Sequence, residues 1–107
     1  MSLIDLPDQA FTKGPLLVDP SSKRVSFKGK EIPFTECEFL IFNRLVSYLG
    51  KPVDRDILLE SLYGCYVPQV TRTVDVHIAS IRKKLKHFSN LLILTVYRKG
   101  YVLFLKN

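Results

Sequence analysis

Residues 71–88 read TRTVDVHIASIRKKLKHF, and this stretch decides the fold. Its apolar residues Val74, Ile78, Ile81, Leu85 and Phe88 recur at spacings of four, three, four and three, the stripe of a helix with one buried face. At about 100° per residue, the opposite face carries Arg72, Thr73, Val76, Ala79, Ser80, Lys83 and His87. His77 and Lys84 lie on one flank, and Asp75, Arg82 and Lys86 on the other. Cations around small residues suit close approach to a polyanion, and the DNA major groove admits one such helix. On this reading Arg72, Lys83 and Lys84 reach phosphates and His77 is a further phosphate donor. Val76, apolar and turned from the core stripe, meets a thymine methyl. The plainer readings are a scattered surface apolar residue for Val76 and a locally hydrogen-bonded flank residue for His77.

On the N-terminal side, two shorter helices are expected. Thr35-Glu36-Cys37-Glu38 has the form of a capping box, in which the Thr35 hydroxyl accepts from the Glu38 N–H and Glu38 reaches back. Phe39, Phe42, Leu45, Val46 and Leu49 follow at helical spacing, with Gly50 and Pro52 as stop signals. Asp54 is the expected N-cap of the second helix, whose Leu58, Leu59 and Leu62 are expected to face inward before Gly64 ends it. Earlier still, Leu16-Leu17-Val18, Val25-Ser26-Phe27 and Ile32-Pro33-Phe34 are short runs divided by Asp-Pro-Ser and Lys-Gly turns, which gives an antiparallel meander. A further strand is expected at Ala10 to Thr12, and residues 1–9 read as a linker remnant before a domain over 10–107.

Beyond the third helix, two strands, Leu92 to Tyr97 and Tyr101 to Leu105, flank Arg98-Lys99-Gly100, with Gly100 supplying a positive φ. Strands, three helices and a terminal hairpin make an α+β winged helix-turn-helix, with the hairpin as wing. Charge follows the same geography. Residues 1–70 hold eight Lys/Arg against nine Asp/Glu, while residues 71–107 hold eight Lys/Arg against Asp75 alone. The last third is therefore a +7 surface built from two separate elements, which suits nucleic acid. Arg98 and Lys99 at the wing tip share its sign.

The run RTVDVHI, with Ile81-Arg82-Lys83-Lys84-Leu85, Thr95-Val96 and Gly100-Tyr101, resembles the DNA-binding domain of the OmpR/PhoB family of response regulators. Weaker matches, Leu17-Val18-Asp19, Phe34-Thr35-Glu36 and Leu58-Leu59-Glu60 among them, extend it over roughly residues 11–105. The resemblance implies a third helix, about 71–88, in the major groove and a wing, 97–100, at the minor groove. It implies base readout by Arg72, Thr73, Val76 and Ser80. Backbone contacts are implied for Tyr63, His77, Arg82, Lys83, Lys84, Thr95 and Tyr101, and wing contacts for Tyr97, Arg98 and Lys99. Tyr63 stands where the family usually has a tryptophan that touches the backbone. Loop 64–70, with Tyr66, Val67 and Pro68, corresponds to the segment that meets RNA polymerase in relatives. A preceding receiver domain and a homodimer formed through it are implied for the full-length protein. Two departures stand out. Ala79 and Ser80 replace arginines frequent in relatives, and the wing reads Thr95-Val96-Tyr97-Arg98-Lys99-Gly100-Tyr101 instead of the usual Thr-Val-Arg-Gly-x-Gly-Tyr.

The expected function is therefore sequence-specific binding of double-stranded promoter DNA by a transcription regulator. The alternative is a winged helix used for protein docking, which the Ala79-Ser80 and wing changes would fit. An enzyme is not expected, since the sequence holds no nucleophile–base pair, phosphate loop or metal-ligand cluster. No cofactor, metal, membrane or small-molecule substrate is expected. Without a long apolar run or a signal-peptide start, the chain reads as soluble and cytoplasmic. Cys37 and Cys65 read as reduced thiols without a role.

Overall fold

The computed structural model describes residues 9–62 and 73–106. A four-stranded antiparallel meander comes first: β1 (Phe11–Lys13), β2 (Leu16–Asp19), β3 (Arg24–Phe27) and β4 (Lys30–Ile32), paired in that order. Leu16 and Val18 of β2 pair with Phe27 and Val25 of β3, so alternate apolar residues line one face, and all four are buried. β4 ends before Pro33, which lacks the N–H a ladder needs, so this strand lies two residues earlier than the expected run Ile32-Pro33-Phe34.

Helix α1 (Glu36–Ser47) starts on the expected capping box: Thr35 Oγ1 accepts from the Glu38 N–H at 3.2 Å, and Glu38 Oε1 accepts from the Thr35 N–H at 2.9 Å. Helix α2 (Arg55–Glu60) is capped by Asp54, whose carboxylate accepts from the Asp56 N–H at 2.7 Å. Leu58 and Leu62 are buried, but Leu59 is 41% exposed, because on so short a helix the residue after Leu58 turns outward. The expectation that Leu59 faces inward is corrected. Helix α3 (Thr73–Lys84) runs into a 3₁₀ turn, Leu85–His87, so the last turn of the expected helix is tighter than α-helical. Its stripe Val74, Ile78, Ile81, Leu85 and Phe88 is wholly buried. α3 packs against α1, and Phe88 meets Phe27 of the sheet edge-on at 6.2 Å.

The chain closes with the hairpin β5 (Leu91–Val96) and β6 (Gly100–Leu105). Lys99 N–H bonds Val96 O at 2.9 Å across the turn, and Arg98 (φ 62°) as well as Gly100 (φ 114°) takes a positive φ. A Cβ on Gly100 would lie 2.0 Å from the Val53 carbonyl oxygen. That contact exists because Val53 and Tyr101 exchange two backbone hydrogen bonds, 2.7 and 3.0 Å, stitching the entry to α2 onto the wing. Cys37 is half-buried and Cys65 lies outside the described residues, and the expectation of two reduced thiols lies outside them with it. No helix among the described residues is long and apolar enough to cross a membrane.

Candidate nucleic-acid interface

With its stripe in the core, α3 has three other sides, and the structure treats each differently. The outermost carries Val76, Ala79 and Lys83, all exposed, and Val76 at 62%. A β-branched apolar residue left that open on a helix with a filled stripe has no packing role among the described residues.

The flank toward α2 and the wing is tied down by polar contacts. Arg55 at the start of α2 donates Nε–H to Asp75 Oδ1 at 2.8 Å and reaches Tyr101 Oη at 3.4 Å. Tyr101 Oη donates to the same Asp75 oxygen. Tyr101 is 4% exposed. Burial pushes its phenol up, the Asp75 carboxylate adds to this, and Arg55 opposes it, so it remains a protonated donor at neutral pH. Two turns along α3, Arg82 donates Nε–H to Ile93 O at 3.1 Å and Nη2–H to Thr95 Oγ1 at 2.9 Å. The guanidinium groups of Arg55 and Arg82 lie 5.2 and 5.5 Å from the Tyr101 ring centroid, within cation–π range.

The flank toward α1 is tied by one carboxylate. Glu38, 3% exposed, accepts from Ser80 Oγ at 2.5 Å on Oε2 and from Lys84 Nζ at 2.5 Å on Oε1. Burial pushes this carboxyl up, but hydrogen bonds from Lys84, Ser80 and the Thr35 N–H, together with the Lys84 charge, hold it below its ordinary value.

The expected contact residues fall into groups accordingly. Val76 and Lys83 face solvent on α3, and Tyr97, Arg98 and Lys99 are exposed at the wing tip, with Arg98 5.1 Å from the Tyr97 ring. His77 is half-buried. Ser80 and Lys84 turn to Glu38, and Arg82 and Thr95 bond each other. Tyr101 is buried with its hydroxyl on Asp75, so it braces the helix from behind instead of offering that hydroxyl to a phosphate. Thr73 opens α3, but its side chain, like Tyr63, Tyr66, Val67, Pro68 and Arg72, lies outside the described residues. Sequence reasoning missed two residues, Glu38 and Arg55. The first was absorbed by its capping role, and nothing in the pattern around the second marks it.

A family model described as "Transcriptional regulatory protein, C terminal" matches residues 29–103. The transcriptional regulatory protein RstA of Escherichia coli K12 is 35% identical over 98 residues, covering 90% of this chain and 41% of RstA. The phosphate regulon transcriptional regulatory protein PhoB of Pseudomonas aeruginosa is 35% identical over 88 residues, covering 82% of this chain and 38% of PhoB. The chain thus spans about two fifths of the length of these curated relatives. Among solved structures, the Klebsiella pneumoniae RstA DNA-binding domain in complex with the RstA box superposes with a TM-score of 0.71 at 32% identity, over 89% of this chain and 96% of that one. Thermotoga maritima DrrB, an OmpR/PhoB homologue, gives 0.68 at 32% identity, over 92% of this chain and 44% of that one. With the winged-helix fold shared and the matched region running from the β3–β4 turn through the wing, the chain belongs to the transcriptional regulatory protein C-terminal family, the winged-helix effector domains of OmpR/PhoB-type regulators.

Proposed function

We propose that this domain binds double-stranded promoter DNA with α3 in the major groove and the wing tip, Tyr97 to Lys99, against the adjacent minor groove. The observation that carries the reading is the open strip Val76–Ala79–Lys83 on a helix whose other sides are packed or tied. Ala79 lets the helix backbone approach the groove floor, Val76 meets a thymine methyl, and Lys83 takes a phosphate. With Ser80 turned to Glu38, base reading falls to Arg72, Thr73 and Val76. No long arginine side chain stands at the centre of the face to grip guanine, and a cationic wing favours the narrow minor groove of A·T-rich DNA. The target is accordingly A·T-rich with modest discrimination. In the full-length regulator the domain follows a receiver, dimerises through it and works in the cytoplasm. Loop 64–70, with Tyr66, Val67 and Pro68, meets RNA polymerase.

Selection on random duplexes tests this. Recovery of A·T-rich sites with thymines opposite Val76 supports it. A G·C-rich core with strong guanines opposite the centre of α3 contradicts the reading face, and no enrichment at all favours protein docking.

A further inference from the structure

We propose that Glu38 is an internal counter-anion that withholds Lys84 and Ser80 from DNA, so that a carboxylate on α1 sets how many cations the recognition helix presents. The inference rests on the DNA-binding reading above. Ser80 and Lys84 stand one turn apart on the same flank of α3, where a helical wheel makes both eligible for the groove. The structure gives both to Glu38. Its Oε2 accepts from Ser80 Oγ and its Oε1 from Lys84 Nζ, each at 2.5 Å, while the Thr35 N–H also bonds Oε1 at 2.9 Å.

The two possible partners of Lys84 differ in environment. Glu38 is almost fully buried, and removing its cation would leave an uncompensated charge in the protein interior, the most costly state of an ion pair. A DNA phosphate is solvated and salt-screened, so its attraction is weaker. Counter-ion release also requires uncompensated positive charge, and a lysine already neutralised at 2.5 Å supplies none. Lys83, the preceding residue, is exposed and has no carboxylate within ion-pair distance among the described residues. Adjacent lysines of identical chemistry therefore have opposite roles: Lys83 contacts DNA and Lys84 is a positioning residue. Ser80 is likewise a structural donor and reads no base.

The test is the salt dependence of binding to a labelled random-sequence duplex, measured on the whole chain and its variants. Lys83→Gln should flatten the slope of log K against log salt by about 0.9, the value of one phosphate contact. Lys84→Gln should leave the slope unchanged. Glu38→Gln should steepen it by about 0.9, because the Lys84 charge is then uncompensated, and adding Lys84→Gln to that variant should remove the gain. A merely structural Glu38 would not steepen the slope. Equal flattening by Lys83→Gln and Lys84→Gln overturns the inference, and so does a folded Glu38→Gln variant with an unchanged slope. If Glu38→Gln fails to fold, the two lysine variants decide. A flat response in the unaltered chain overturns the DNA-binding reading and this inference together, whereas a steep one with equal lysine losses overturns this inference alone.

Discussion

Tyr101, at the start of the strand that leaves the wing, donates its hydroxyl to Asp75 in the first turn of α3. The same Asp75 oxygen accepts from Arg55 of α2, so a helix, the recognition helix and the wing meet on one carboxylate. Tyr101→Phe keeps the ring and removes the donor. Asp75 retains Arg55, so stability should fall by about 1 kcal/mol. The loss should appear as a lower urea midpoint at constant m-value, and an unchanged midpoint would show that the hydroxyl does not brace the helix.

Gly100 is fixed by its neighbours as much as by its φ. An added Cβ would lie 2.0 Å from a backbone carbonyl oxygen that itself accepts the Tyr101 N–H, so neither side can yield without opening the stitch between α2 and the wing. Gly100→Ala should cost about 3 kcal/mol or more, combining left-handed strain with the clash. Gly29→Ala, with nothing near its Cβ position, is the control for positive φ alone. Equal losses at the two sites would contradict the packing argument.

Acid sensitivity follows from Glu38. Its folded-state pKa is depressed, so its network stabilises the fold fully above the unfolded value, near the ordinary 4.5, and that contribution is lost as pH falls through the lower folded value. Urea midpoints of the unaltered chain and Glu38→Gln should therefore differ most at neutral pH and converge at the acid end. A gap that widens on acidification would reverse the sign assigned here.

Most of the architecture was legible because it rests on periodicity and caps. The α3 stripe, the Thr35–Glu38 box, the Asp54 cap and the Gly100 turn are each local in sequence. The candidate site was legible only in part. A helical wheel ranks residues by angle from the core and treats the two flanks alike, so it could not see that Glu38, 42 residues from Ser80, waits on one side and Tyr101, 26 residues from Asp75, on the other. Those partners are set by tertiary packing. They divide the wheel into a narrow open strip and two tied edges.

Val76 offers the sharpest readout of that strip. Val76→Ala removes methyl groups from an exposed position, so stability should change by less than about 0.5 kcal/mol. In a selection experiment, preference at one thymine should relax by about 1 kcal/mol while affinity for random DNA is barely altered. Loss of affinity for every sequence alike would assign Val76 to the fold and not to base reading.

The most direct measurement is the salt dependence of binding by the unaltered chain to promoter-length duplex DNA. Arg72, Arg82, Lys83, Arg98 and Lys99 would make about five phosphate contacts, which gives a slope of log K against log salt near −4 to −5. A slope in that range is the result expected of a domain that lays α3 and its wing along the DNA backbone. A slope near zero would contradict DNA binding by this surface.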